Sequence, residues 1–145
     1  MAGDHARKHQ LEFGGSPVGT EFDGRLQFDR IDRIPIFTVS HFFSAHAARQ
    51  IRYALVSTWG PERPFYQRYQ WVIIDARMVT GWEDDARLFV QQLRDRLRQL
   101  GGDLVLVAYE TSALDGEFAT AETQEAAVAL VKERRAAARA TALQS

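Results

Sequence analysis

The sequence predicts a single α/β domain, a mixed sheet of four to five strands covered by amphipathic helices. Runs at 34–39, 71–74 and 104–108 have the character of buried strands, the continuous apolar run 71–74 that of a central strand covered on both faces. Between them, and again after the last, apolar residues recur one helical turn apart. Strand and helix therefore alternate along the chain, the order in which parallel neighbours are joined by right-handed crossovers.

The regular pattern begins at Glu21. Leu26, Phe28 and Ile31 alternate loosely with polar neighbours over 25–33, as in an edge strand or hairpin arm. The β-branched and aromatic run 34–39 reads as a more buried strand, with Pro35 near its start. Ser44 offers an N-cap side chain. The helix it starts has Ala47, Ala48, Ile51, Ala54 and Leu55 on its inner stripe and Arg49, Gln50 and Arg52 on its outer side. Gly60, Pro61 and Pro64 break the stretch 59–69 into a loop carrying Trp59, Phe65, Tyr66 and Tyr69. The run Trp71 to Ile74 reads as a central strand that ends at Asp75, with a loop over 76–82.

The most regular helix covers 83–100. Glu83, Asp84 and Asp85 fill its first turn, where negative charge favours the helix dipole. Ala86, Phe89, Val90, Leu93, Leu97 and Leu100 form one narrow stripe, and Gly101 and Gly102 stop the helix. A buried strand over 104–108, a connection over 110–117 and a short strand at 118–120 follow. The last helix turns Ala126, Ala127, Leu130 and Val131 inward. The domain is expected over 21–138. Residues 139–145 read as a frayed tail, and 1–20, glycine-bearing and without a hydrophobic run, as a flexible leader or expression remnant outside the fold.

Composition narrows the function classes. The 18 basic and 19 acidic side chains leave a net charge of −1, which gives no overall field to attract nucleic acid or an anionic membrane. The chain has no cysteine, so disulfides, thiol catalysis and thiolate metal sites are absent. No apolar stretch approaches the roughly 20 residues that span a bilayer. A cytoplasmic protein without membrane insertion is expected.

The stretch from Trp71 to Val107 resembles the centre of a STAS domain, the anti-sigma-factor-antagonist or SpoIIAA-like family. There a buried strand ends in an aspartate, a short loop leads to an Asp-Ser-Ser/Thr-Gly type motif, and an amphipathic helix runs to Gly-Gly and a second strand. Here those parts are Val72 to Asp75, Ala76 to Trp82, Glu83 to Leu100, Gly101-Gly102 and Asp103 to Val107, with no gap. Upstream, Ile36 to Val39 and Ser44 to Ile51 look like the family's second strand and first helix. Downstream, Phe118 to Leu130 looks like its last strand and C-terminal helix.

The resemblance implies a STAS-like mixed sheet and a non-catalytic regulatory domain acting by protein contact, of the antagonist or partner-switching type. The implied partner is an anti-sigma factor, a serine kinase of that type or another STAS domain, and a homodimer through the C-terminal helix is a further option. By this alignment Glu83, Asp84, Asp85 and Ala86 replace the family's motif, with Asp84 at the phosphoacceptor position. A carboxylate cannot take phosphate from a serine kinase, and it carries one charge against the roughly −1.5 to −2 of phosphoserine. The alternative is that the three acids simply stabilise a helix start. Thr80 offers a hydroxyl in the same loop. The expected partner surface is Thr80, Trp82, Asp84, Arg87 and Leu88, since Leu88 points away from the buried stripe. A second reading is a small-molecule or lipid-binding STAS-like domain using Trp59, Phe65, Tyr66 and Tyr69 with Trp71 and Trp82; the plainer role of these aromatics is to cap the core.

Enzymatic chemistry finds little support. Consecutive helical positions fan apart by about 100°, so Glu83, Asp84 and Asp85 do not converge on one ion. His41 and His46 have no third ligand placed by pattern. Ser40, Ser44 and Ser57 lack a nucleophile-elbow context, and neither glycine pair matches a phosphate- or dinucleotide-binding loop. No cofactor and no metal are expected.

Overall fold

The computed structural model describes residues 9–11, 25–57, 70–109 and 114–144. In chain order these form β1 (His9–Leu11), β2 (Arg25–Ile31), β3 (Ile34–Phe43), α1 (Ala45–Ser57), β4 (Trp71–Trp82), α2 (Asp84–Gln99), β5 (Asp103–Val107), β6 (Ala119–Ala121) and α3 (Gln124–Gln144). The strands lie side by side in sequence order in one mixed sheet. β1, β2 and β3 are antiparallel, while β3, β4, β5 and β6 are parallel. Five strands and three helices correspond to the expected mixed α/β domain, and β1 adds a short sixth strand.

Strand alternation divides the core in two. Leu26, Phe28, Phe37, Val39, Val72, Ile74, Leu104 and Leu106 face α1 and α2, which contribute Ala47, Ala48, Ile51, Leu55, Ala86, Val90, Leu93 and Leu97. Ile34, Ile36, Trp71, Ile73, Val105 and Val107 face α3, which contributes Ala127, Val128 and Val131. This is why the central runs read as continuously apolar: both faces of β4 and β5 are covered. β2 and β3 meet at a two-residue turn, Asp32 and Arg33, whose φ angles of 51° and 67° are those of a tight hairpin matched to strand twist.

Four features differ from the sequence reading. β4 does not end at Asp75 but continues to Trp82, pairing with β3 alone once β5 has ended at the Asp75–Val107 pair. From Arg77 to Thr80 its residues alternate between half-buried and exposed, which is why the stretch lacks an all-apolar character. Two register shifts against β3 mark this half, and His41, with φ of 65°, sits at the second. β1, within the stretch assigned to a leader, pairs with β2. α3 runs to Gln144 through the segment expected to fray, and Ala126 is exposed while Val128 is buried in its place.

Gly101 and Gly102 end α2 for two different reasons. Gly101 has φ of 92°, the left-handed conformation that glycine enters at no steric cost, and the Gly102 N–H bonds back to the Leu97 carbonyl at 2.9 Å. At Gly102 a Cβ would lie 1.6 Å from the Gln70 carbonyl oxygen. That same carbonyl accepts the Asp103 N–H at 2.9 Å, which starts β5 beside β4.

Candidate functional site

The carboxyl ends of β3 and β4 deliver α1 and α2 to the same edge of the sheet, and their first turns are tied together. The Glu83 N–H donates to the Phe43 carbonyl at 2.9 Å. Glu83 is the N-cap of α2, with extended backbone, and not a member of its first turn. Its side chain does not cap its own helix; Oε1 accepts the Ala45 N–H at 2.9 Å and so caps α1. Ser44 Oγ accepts the Ala47 N–H at 3.0 Å, the N-cap role its sequence position suggests. The start of α1 is thereby satisfied by two side chains, one from the residue before it and one from the residue that begins α2.

Asp84 and Asp85 form the first turn of α2. The Asp84 side chain is 88% exposed and pairs with Arg87 one turn on, an i,i+3 ion pair. Asp85 is exposed as well. Leu88 is 51% exposed, on the side of α2 away from buried Ala86, Val90 and Leu93. Thr80 is exposed but lies on β4, at the second register shift, and not in a loop. Trp82 is half-buried and stacks on Phe43, ring centroids 4.8 Å apart. Of the expected surface, Asp84, Arg87 and Leu88 share the first turns of α2, Thr80 precedes them on the strand, and Trp82 is engaged in packing.

A buried polar cluster that the sequence reading missed lies across the sheet, beneath the start of α3. Asp75 is 2% exposed. Its Oδ1 accepts the Arg77 N–H at 3.1 Å and Arg77 Nε at 3.0 Å, and its Oδ2 accepts Arg77 Nη2 at 2.8 Å and Gln124 Nε2 at 2.9 Å. Gln124 Nε2 also donates to Thr38 Oγ1 at 2.9 Å. Burial pushes the Asp75 carboxyl pKa up, but the hydrogen bonds of Arg77 and Gln124 outweigh it and hold the pKa below its ordinary value. A charged residue closing an apolar run, with an arginine two positions on, was the available signal. The partner Gln124, 49 positions away, left none. With its lone pairs occupied by protein donors, Asp75 serves the fold.

Two arginines of α2 fasten the segment before β6. Arg94 Nη1 donates to the Asp115 carbonyl at 3.1 Å and its guanidinium lies 4.5 Å from the Phe118 ring centre. Arg98 donates to Asp103 Oδ1 and to the Glu117 carbonyl, each at 2.9 Å. Trp59, Phe65, Tyr66 and Tyr69 lie outside the described residues. The tryptophans expected to join them are on opposite faces of the sheet, Trp71 towards α3 and Trp82 towards α1 and α2, so they do not line one pocket. His41 is on β3, and His46, in α1, has Nδ1 3.4 Å from Arg49 Nη2. Among the described residues no three His, Asp or Glu side chains group as metal ligands, and no helix is long and apolar enough to cross a membrane.

Solved structures share this architecture over nearly their whole length. The anti-sigma factor antagonist SpoIIAA in its unphosphorylated form superposes with a TM-score of 0.60 and 16% identity, covering 74% of this chain and 97% of that one. The chain has a SpoIIAA-like fold. An anti-sigma factor antagonist from Mycobacterium paratuberculosis superposes with a TM-score of 0.57 at 15% identity, covering 79% and 99% of the two chains. An uncharacterized protein with a SpoIIAA-like fold from Shewanella loihica gives 0.51 at 12%, covering 79% and 98%. No family model and no curated protein sequence matches the chain. What is shared is the fold: at these identities the SpoIIAA-like framework carries side chains of its own, and function has to be argued from them.

Proposed function

We propose that this chain is a non-catalytic regulatory module of the STAS type, which binds a protein partner through the start of α2. The observation that carries the reading is Leu88, half-exposed beside the exposed Asp84–Arg87 pair on a helix start held in place by Glu83. An apolar side chain ringed by charges on a rigid element is a suitable anchor for a partner protein. Asp84 stands where the resemblance places the phosphorylatable serine. Its carboxylate is a fixed negative charge that no serine kinase adds, so the module holds a permanent state in place of a switched one. The partner class that fits is an anti-sigma factor or a related serine kinase, or a second STAS-type domain.

The test is direct binding of purified candidate anti-sigma factors and kinases to the full chain by calorimetry. A double variant, Leu88→Asp with Asp84→Arg, should weaken the cognate complex at least tenfold while leaving the fold intact. A partner that binds the double variant as tightly as the native chain overturns this surface. Asp84→Ser, incubated with the same kinase and ATP, should become phosphorylated.

A further inference from the structure

Beside that surface, α1 and α2 leave an open groove of about 220 Å³ lined by Ala45, Ala48, Arg49, Arg52, Asp85, Leu88, Phe89 and Gln92. Its floor is apolar: Ala48 is buried and Phe89 half-buried, and Leu88 forms one lip. It is smaller than the roughly 300–1,000 Å³ that enclose small molecules, so it suits one inserted side chain better than a whole ligand. The α1 wall carries Arg49 and Arg52, both exposed. Among the described residues neither forms an ion pair with a carboxylate, and Arg49 has a hydrogen bond to the His46 ring. Arg94 and Arg98, by contrast, are committed to Asp95 and Asp103. Tyr53, one turn beyond Arg49, is 65% exposed on the same side of α1.

We propose that this groove is the docking site for an acidic helical segment of the partner protein. An apolar side chain of that segment enters between Leu88 and Ala48, and carboxylates one turn apart reach Arg49 and Arg52. The spacing of three between the two arginines is the spacing at which helical side chains stand one above the other, so a helix laid along α1 matches it. The guanidiniums outnumber the single groove carboxylate, Asp85, which sets the sign of the partner. This rests on the protein-contact reading above and specifies the partner's chemistry and a second contact region.

The test is a displayed library of helical peptides, randomised on one face and selected against the full chain. The selected sequences should carry paired Asp or Glu one turn apart beside an apolar anchor. Arg49→Glu with Arg52→Glu should weaken their binding at least tenfold, added salt should weaken it further, and amide shifts in the labelled protein should fall on 45–53 and 85–92. Peptides lost in Asp84→Arg but indifferent to the double arginine reversal would uphold the α2 surface and overturn the groove. Binding indifferent to both sets of variants overturns both, and selection of basic or uncharged sequences, or of none, overturns the groove.

Discussion

Glu83 Oε1 lies 2.9 Å from the backbone nitrogen of Ala45, so the residue that begins α2 caps α1, 38 positions earlier in the chain. The two helices that flank the candidate partner surface thus start from one shared hydrogen-bonded point. Glu83→Ala should lower stability by about 1 kcal/mol, the usual cost of a lost N-cap. Urea unfolding measures this, and amide exchange should speed up at Ala45 in α1 while α2 stays protected. A change confined to α2 would contradict the cross-cap.

Asp75 ties stability to acidity. Its carboxyl pKa is depressed in the folded state, so its charged form contributes stability that is fully present above the unfolded value of about 3.9. That contribution is lost as pH falls through the folded-state value. Asp75→Asn should be less stable than the native chain at pH 7, and the gap should close at the acid end. Urea midpoints from pH 7 to pH 3 measure it.

Removing Arg77 tests the same cluster from the other side. The Arg77 side chain is 28% exposed and that of Asp75 nearly fully buried, so Arg77→Met strands a carboxylate whose remaining side-chain donor is Gln124. The expected loss is about 2 kcal/mol, below the 3–5 kcal/mol of a fully buried pair because solvent reaches the arginine. The double variant Asp75→Asn with Arg77→Met should recover part of it, read by thermal unfolding.

The two glycines after α2 should respond unequally. Gly101→Ala places a Cβ in open surroundings at positive φ and should cost about 1 kcal/mol. Gly102→Ala drives a Cβ into the Gln70 carbonyl and must break the contact that sets β5 beside β4. It should cost at least about 3 kcal/mol, among the largest single-site effects. Equal losses in denaturant unfolding would contradict this geometry.

Leu88 and Leu97 separate surface from core. Leu88→Asp should change stability by no more than about 0.5 kcal/mol, whereas Leu97→Ala, at a fully buried site, should cost about 2–5 kcal/mol. Calorimetric unfolding of the two variants makes the comparison, and it ensures that a binding defect in Leu88→Asp is not a folding defect.

Much of this was legible before the structure. The α2 stripe, the Ser44 cap, the double glycine and the outward Leu88 are all local signals, because neighbours along one helix fix them. What escaped depends on distant partners. β4 beyond Asp75 is a strand because β3 lies beside it up to the Phe43–Trp82 pair, and nothing in residues 76–82 announces that neighbour. Glu83 looked like a dipole-favouring acid of its own helix, yet its oxygen serves Ala45. Gln124 bridges Asp75 and Thr38, and no local feature of the sequence around it announces that role.

The outer strands of the sheet, β1 and β6, have only three residues each. Each covers only part of its longer neighbour, and beyond Asp75 β4 has β3 on one side alone among the described residues, so the second half of β4 is the longest stretch of ladder edge these strands leave open.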